Sequence, residues 1–316
     1  MAMKPTPTRD GFGEALAAIG KVDPKVVVVS ADLEDATRAD YFKKVCPERF
    51  FSVGIAEQDM IGMAAGLASE GFTVVTNSFA VFLTNRAYDQ IRMDICYNNL
   101  NVKLAATHAG VTVGEDGASA QCLEDFAIMR VLPNIKVLCP VDYIEAKKAT
   151  AAMLAEEGAF YVRFSRAPLP VLTDEATPFV VGQANVIRQG TDAAVIACGA
   201  MVSEAVVAAD MLAHEGLNVR VVNMHTIKPL DVDVIVACAK ETGAIVTAEE
   251  HQAVGGLGGA VAEVLGQTNP VPLEIVGVKD AFGQTGTPEQ LLQHYNLKAA
   301  DIAAAVRKVV ARKMRS

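Results

Sequence analysis

The sequence of 316 residues lacks any apolar run that approaches the ~18 residues of a membrane-spanning helix. Its N-terminus has no apolar leader, so nothing predicts export. The six cysteines include no C-x-x-C pair, which argues against a zinc site or a disulfide framework and favours reduced thiols in a cytosol. Basic residues are not in excess: the formal net charge is −9 and the pI is near 5.1. These absences predict a cytoplasmic protein with no membrane and no nucleic-acid partner.

Apolar residues are abundant, by contrast. They make up 51% of the chain, whose length suffices for two ordinary domains. Short β-branched runs without polar alternation predict the buried strands of parallel sheets, and the longer stretches between them have helical spacing. The predicted strands are Lys25–Ala31, Phe72–Thr76, Val102–Ala106, Ile135–Cys139, Ala193–Cys198, Asn218–Val222 and Ala244–Ala248. The predicted helices include Glu57–Glu70, Phe82–Asn98, Val202–His214 and Gly256–Gly266.

A change in composition divides this series of strands and helices. The stretch "RAPLPVLTDEATPF", from Arg166 to Phe179, has three prolines and poor periodicity, and it reads as a linker. A second series of strands and helices follows it. We therefore predict an α/β fold of two doubly wound domains, residues 1–175 and residues 176–316.

Polar residues crowd the predicted carboxyl ends of the first-domain strands. Asp32 follows the first run, "NSFAVF" and "THAG" follow later ones, and "RFSR" comes soon after "AFYV". Functional groups of doubly wound sheets collect at this edge, so a single site is expected there. Glu57 is also unusual, because "SVGIAEQDMIGMAAGLA" surrounds it with small and apolar residues and an ionised carboxylate is costly to bury. Taken alone, it is more simply interpreted as an acid at a helix N-terminus, stabilised by the macrodipole.

Several motifs, in one order, resemble those of the transketolases, enzymes that use thiamine diphosphate. The motifs are "SADL", "VGIAEQDM", "SFAVF", "THAGVTVGEDGASAQ", "SRAPLP" and "IKPLD". The resemblance is to the carboxyl-terminal half of these enzymes, and more closely to the second subunit of a split transketolase. It covers nearly the whole chain. It implies a pyrimidine-binding domain followed by a transketolase C-terminal domain, and an activity that transfers a two-carbon ketol unit between sugar phosphates.

The resemblance implies the residues that meet the cofactor. Glu57 matches the glutamate that hydrogen-bonds the aminopyrimidine ring and so activates the cofactor. An apolar setting would favour the protonated, donor form of its carboxyl group. Phe79 and Phe82 match the aromatic pair that holds the pyrimidine, although two phenylalanines are on their own more often core residues. Asp32 and Leu33 match positions that approach the thiamine from the other subunit, although an acid at a strand end is often a helix cap.

The resemblance also implies a substrate side. His108 and Arg166 match the residues that contact the phosphate of a sugar phosphate, and Asp116 matches an acid that contacts a donor hydroxyl. Outside the family pattern these would be a strand-end histidine, a surface cation and an acidic turn. Two positions depart from the family. Asn85 stands where a tyrosine is frequent, and Ala120, in "GEDGASAQ", stands where a donor-contacting histidine is usual. The second departure predicts an altered donor preference.

A partner is implied by what is missing. Thiamine diphosphate enzymes hold the diphosphate and its metal with a G-D-G motif and a later asparagine, and no G-D-G occurs in this chain. The resemblance therefore implies that an N-terminal transketolase subunit binds the diphosphate and the Mg²⁺ or Ca²⁺ ion, with no metal ligands here. The expected unit is a heterotetramer of two copies of each subunit. The "GMAAG" segment suggests close helix packing, as in self-association across the pyrimidine-binding domain.

Two other functions stay open at this point. The chain could belong to a related thiamine diphosphate enzyme, such as a deoxyxylulose phosphate synthase, which "NRAYDQIRMD" resembles, or a 2-oxoacid dehydrogenase beta subunit. It could also be a non-catalytic structural subunit that keeps the fold. The retained Glu57, Phe79 and Phe82 argue against the structural subunit, whereas Ala120 leaves it open.

Overall fold

The β-branched runs form the central strands of two sheets in the computed structural model, which describes residues 3–314. Each of the seven predicted strands is present, with ends that shift by a few residues. In chain order the strands are β1 (Thr6–Pro7), β2 (Val26–Ser30), β3 (Phe50–Ser52), β4 (Thr73–Phe79), β5 (Val102–Thr107), β6 (Ile135–Leu138), β7 (Ala159–Phe164), β8 (Pro168–Leu169), β9 (Asn185–Arg188), β10 (Ala193–Ala197), β11 (Val219–Asn223), β12 (Thr226–Lys228), β13 (Ile245–Gln252) and β14 (Leu273–Val278).

The strand order confirms two doubly wound α/β units. In the described part of the chain, the first sheet has seven strands in the order β12-β6-β7-β5-β4-β2-β3, and the second has five in the order β14-β13-β10-β11-β9. The pairs within β2–β7 are parallel, as are those that join β10 to β11, β10 to β13 and β13 to β14. The edge strands β9 and β12 pair antiparallel. Since β12 comes from the second half of the sequence but completes the first sheet, the two halves are interlocked.

Helices cover both faces of each sheet, as unalternating strands require. In chain order they are α1 (Thr8–Gly20), α2 (Glu34–Thr37), α3 (Asp40–Val45), α4 (Glu57–Ser69), α5 (Ala80–Arg86), α6 (Tyr88–Gln90), α7 (Asp125–Arg130), α8 (Tyr143–Ala155), α9 (Met201–Ala213), α10 (Val232–Thr242), α11 (Leu257–Gln267), α12 (Pro288–His294) and α13 (Ala299–Lys313). Among residues 3–314, no helix has the length and apolar character needed to cross a membrane.

The predicted single helix over 82–98 is wrong. The chain forms α5, then α6, then a π-helical turn at Ile91–Cys96. The interruption is at Ala87, whose φ of −112° and ψ of 21° are not helical. The hydroxyl group of Tyr88, just after this break, donates a hydrogen bond to the carbonyl of Ile128 at 3.1 Å, so a tertiary contact lies directly beside the change in direction. Arg86 therefore lies at a helix end.

The predicted linker is an ordered connection. Within it β8 pairs with β1 near the N-terminus. The backbone N–H groups of Leu172 and Thr173 both donate to Asp142 Oδ2 at 2.7 Å, which ties this connection to the start of α8. The domain boundary near residue 175 stays a prediction.

Candidate active site

The carboxyl ends of four neighbouring strands bring the candidate residues to one edge of the first sheet. Strands β7, β5, β4 and β2 lie side by side in that order. Phe79 ends β4, His108 follows β5, Arg166 follows β7, and Asp32 follows β2. Parallel strands end at the same edge, so residues far apart in sequence become neighbours here.

Glu57 is the first residue of α4, and its side chain is only 3% exposed. Both carboxylate oxygens lie 3.2 Å from Nη1 of Arg86, which donates to them from the end of α5. The expectation of an apolar setting therefore needs a correction: the carboxylate is buried but paired with a cation 29 residues away. A cavity of about 540 Å³ opens beside the pair, lined by Ile55, Ala56, Glu57, Gln58, Asp59 and Arg86.

Two phenylalanine rings follow Glu57 along the site. The ring centroids of Phe79 and Phe82 lie 5.7 Å apart and their planes differ by 15°. Both side chains are half-buried, at the junction of β4 and α5. The guanidinium carbon of Arg86 lies 4.4 Å from the Phe82 centroid, because residues four apart share one face of a helix. The pair thus presents flat aromatic surface next to the buried carboxylate.

His108 continues the row of rings. Its imidazole stacks on Phe79 with centroids 3.7 Å apart. Nδ1 lies 2.8 Å from Thr107 Oγ1, Nε2 lies 3.4 Å from Arg9 Nη1, and the residue has a φ of 56°. A histidine in this left-handed region is uncommon, and such strain is concentrated at functional sites. Burial, with the Arg9, Arg166 and Arg38 guanidiniums, lowers the pKa of His108 to about 3, so the ring is neutral at neutral pH.

Arg9 joins the candidate site, although the sequence around it does not predict this. It lies in the first turn of α1, and its Nη1 donates to the carbonyl of Ala36 at 2.7 Å. Nearby, Arg38 Nε donates to Asp10 at 2.6 Å. Burial, together with the neighbouring Arg38 guanidinium, lowers the pKa of Arg9 from its ordinary value. Nothing in the local sequence marks Arg9, since it reaches His108 only through a contact between residues 99 apart.

Arg166 and Asp116 face each other at the outer end of the row. Arg166 Nη1 donates to the carbonyl of Val113 at 2.8 Å and to Glu115 at 3.3 Å, and Arg166 Nε lies 3.9 Å from Asp116 Oδ2. Each of these charged side chains is about a third or more exposed. The anion-binding group predicted from sequence is therefore open to solvent and balanced by acids.

Asp32 and Leu33 lie at the margin of this edge. Asp32 is exposed with a φ of 61°, and Leu33 is half-buried and begins the turn into α2. The carbonyl of Leu33 accepts a hydrogen bond from Thr37 Oγ1 at 2.8 Å. Their exposure is compatible with contact to a neighbouring chain.

Ala120 lies on a loop held between the two sheets. The loop includes a 3₁₀ segment, Val111–Asp116, and Gly117 has a φ of 77°. The next residue, Gln121, is buried, and its Nε2 donates to the carbonyls of Gly114 and Gln284 at 3.2 and 2.9 Å. Ala120 is buried too, so a change of residue there would act inside a packed loop. Asn85 is exposed and donates to Glu124 at 2.8 Å.

These residues fit one half of a thiamine diphosphate molecule. The buried carboxylate and the aromatic pair suit a flat heteroaromatic ring with polar nitrogens. Over residues 3–314 there is no group of three or more His, Cys, Asp or Glu side chains that could hold a metal ion.

Comparison with known proteins accounts for most of the chain. Residues 4–171 match the family model described as the transketolase pyrimidine binding domain, and residues 182–302 match the transketolase C-terminal domain. A putative transketolase C-terminal section of Methanocaldococcus jannaschii is 42% identical over 94% of each chain. A 6-deoxy-6-sulfo-D-fructose transketolase subunit of a Clostridium species is 39% identical over 96% of this chain and 95% of that protein. A solved structure described as a split gene transketolase, inactive beta4 tetramer, has a TM-score of 0.90 and 44% identity and covers 98% of this chain and 99% of its own.

Proposed function

This chain belongs to the transketolase family, and we propose that it is the C-terminal subunit of a split, thiamine diphosphate-dependent transketolase. The proposed reaction transfers a two-carbon ketol unit between sugar phosphates. One observation carries the proposal. A continuous row of contacts runs from Glu57 through Arg86, Phe82, Phe79 and His108 to Arg9. It begins with an acid paired with a cation, passes over two aromatic rings and an imidazole, and ends at a second cation, an arrangement that suits a cofactor ring at one end and an anionic sugar at the other.

The acid and the aromatic faces serve the cofactor. When bound, thiamine diphosphate supplies the nucleophilic carbon that attacks the ketose carbonyl. Glu57 is proposed as the catalytic acid that holds a proton at the pyrimidine ring nitrogen, because its buried position shields that hydrogen bond from water. Phe79 and Phe82 orient the ring by stacking.

The cationic end serves the substrate. Arg9 and Arg166 offer planar donor forks that suit a phosphate group. His108 between them is neutral and can donate one hydrogen bond without adding charge. Asp116, close to Arg166, is proposed to accept a hydrogen bond from a hydroxyl group of the donor sugar.

A partner subunit completes the site in this proposal. It would bind the diphosphate and the Mg²⁺ or Ca²⁺ ion, and Asp32 and Leu33 of this chain would reach a neighbouring subunit's cofactor. The expected assembly is two copies of each subunit. The exposed face of α4 supports self-association, since Gly62 and Gly66 have open space where a side chain would be. The similar split transketolase is described as inactive in its beta4 form, which supports the need for a second kind of chain. We also propose a cytosolic location, which six buried free cysteines suit.

The donor sugar is proposed to differ from that of common transketolases. Ala120 replaces a hydrogen-bonding histidine, so a hydroxyl that depended on it loses its partner. A related subunit is named for a sulfonated ketose, which supports variation of the donor among these chains.

Reconstitution tests the proposal. The chain would be co-purified with the product of a neighbouring gene that encodes a G-D-G motif. We expect the complex to transfer a ketol unit from xylulose 5-phosphate or a substituted ketose to ribose 5-phosphate. By calorimetry, the chain alone should show no tight, metal-dependent binding of thiamine diphosphate. Tight binding by the isolated chain would refute the split site, and a complex that binds the cofactor without exchanging its thiazolium proton would favour a structural subunit.

A further inference from the structure

Arg86 makes two contacts with the residues assigned to the pyrimidine ring. Its guanidinium group lies over the face of Phe82, 4.4 Å from the ring centroid. Its Nη1 donates to both oxygens of Glu57 at 3.2 Å. The motifs discussed above assign it no role.

A guanidinium group resembles the aminopyrimidine in the features that these partners recognise. It is planar, it stacks on aromatic faces, and it presents N–H donors at its edge. In the chain as it stands, one side chain therefore satisfies the aromatic face and the carboxylate together. A ring that needs the same surface of Phe82 and the same oxygens of Glu57 must compete with it.

The two occupants also demand different states of the carboxyl group. A guanidinium favours the ionised carboxylate. The proposed function, on which this inference rests, needs Glu57 to hold a proton at the ring nitrogen. Glu57 cannot serve that purpose while it is paired with Arg86.

We propose that Arg86 is a positioning residue that acts as an internal stand-in for the pyrimidine ring. It keeps the buried Glu57 carboxylate paired before the cofactor arrives, and it leaves both contacts when the ring binds. The cost of displacing it lowers the affinity for the cofactor.

The surroundings of Arg86 permit this movement. Its side chain is 51% exposed, and it ends α5 just before the break at Ala87. The adjoining cavity of about 540 Å³ gives it space. Asp59, exposed on the first turn of α4, lines the same cavity and offers a second carboxylate. The guanidinium can therefore change partners without being left unpaired.

The test measures binding and does not depend on turnover. The probe for the chain alone is 4-amino-5-hydroxymethyl-2-methylpyrimidine, which needs no metal site, and binding would be followed by NMR titration. We expect Arg86→Ala to bind this probe about tenfold more tightly than the unmodified chain, because an ion pair with a half-exposed cation and a cation–π contact no longer compete. Arg92→Ala is the matched control, since Arg92 is an exposed arginine on the following turn that donates to Met93 instead. It should leave the affinity unchanged.

The same variants in the two-subunit complex give the second measurement, the dissociation constant of thiamine diphosphate with Mg²⁺ by calorimetry. Tighter binding by Arg86→Ala in either assay supports the proposal that Arg86 stands in for the pyrimidine ring. Binding that is equal to or weaker than that of the unmodified protein in both assays overturns it while leaving the proposed function intact. Absence of cofactor binding by every form of the complex overturns the proposed function, and the stand-in with it.

Discussion

Four glutamates are buried in the described part of the chain, Glu57, Glu145, Glu249 and Glu250, and three of them show that the two sheets use such acids differently. In the second sheet, Glu249 accepts the backbone N–H groups of Leu257 and Gly258 at 2.7 and 2.8 Å, so it caps the start of α11. Its neighbour Glu250 accepts from the N–H of Thr112 at 3.0 Å and faces Arg163. Burial raises the pKa of both carboxyl groups. In the first sheet, Glu57 is paired with a half-exposed cation beside an open cavity.

This difference distinguishes the candidate ligand site at Glu57 from the structural acids Glu249 and Glu250. The acids of the second sheet have donors fixed by the fold, so they contribute to packing and cannot accept a new partner. Glu57 is paired instead with a side chain that is 51% exposed. Similar burial therefore contributes to packing in one region and, in our proposal, to ligand binding in the other, and the exposure of the partner distinguishes the two.

The largest expected effect is the loss of turnover when Glu57 is changed. Glu57→Gln should reduce turnover of the reconstituted complex by about a hundredfold to ten-thousandfold, as loss of a proton-transfer group does. Its unfolding free energy should stay close to that of the unmodified chain, since the partner of the lost charge is half exposed. Exchange of the thiazolium proton and urea unfolding would be measured on the same preparation. Glu70→Gln, at the exposed end of α4, is the control, and wild-type proton exchange in Glu57→Gln would end its proposed role.

The opposite result, a large loss of stability, is expected where Arg163 forms ion pairs between the two sheets. Arg163 is 4% exposed, lies 3.4 Å from Asp125 and 3.9 Å from Glu250, and donates to the Glu250 carbonyl at 2.9 Å. Arg163→Met leaves both buried acids without their cationic partner and should lower the unfolding free energy by about 3–5 kcal/mol. Circular dichroism during urea unfolding measures the loss.

The control for that variant is Arg188→Met, which breaks a surface pair with Asp210 and should cost less than about 1 kcal/mol. A small loss of unfolding free energy in Arg163→Met would mean that the ion pairs of Arg163 do not stabilise the contact between the sheets. The contrast with Glu57 would then fail.

A smaller effect is expected at Ala120, on the loop that connects the two regions. A donor hydroxyl without its histidine partner costs roughly 1–3 kcal/mol, or about ten- to hundredfold in rate. Ala120→His should raise activity with xylulose 5-phosphate within that range and lower it with the natural donor. Assays of kcat/KM on both complexes test this. If the unmodified complex already works well with xylulose 5-phosphate and histidine adds nothing, the departure carries no specificity.

The mildest effect concerns acid stability in the first sheet. The pKa of His108 is about 3 in the fold, against 6.5 for an unperturbed histidine. Between these values the unfolded chain binds a proton that the folded chain does not, so His108 makes stability fall as the pH drops from 6.5 towards 3. His108→Gln should show a shallower fall over this window and no steeper change above it. Unfolding curves at several pH values test this, and parallel curves for both proteins would show that burial and the neighbouring guanidiniums do not lower the pKa of this ring.

The sequence predicted what depends on local pattern. Unbroken β-branched runs predicted the central strands, and the rule that parallel strands end at one edge predicted where the polar residues gather. Prediction from the sequence failed where tertiary contacts determine the local structure. The break at Ala87, the pairing of Glu57 with Arg86 and the approach of Arg9 to His108 join residues whose neighbourhoods look ordinary. The antiparallel addition of β12 to the first sheet was equally hidden, since Thr226–Lys228 is too short to identify as a strand of a distant sheet.

That short strand bears on how such a gene can be divided. A cut near residue 175 would separate β12 from β6 and leave Ile135–Leu138 as an open sheet edge, a template for aggregation. It would also remove Glu250 from Arg163. The two halves are distinct architectural units. We expect neither to fold stably when it is encoded by itself, because each lacks a part that the other encodes.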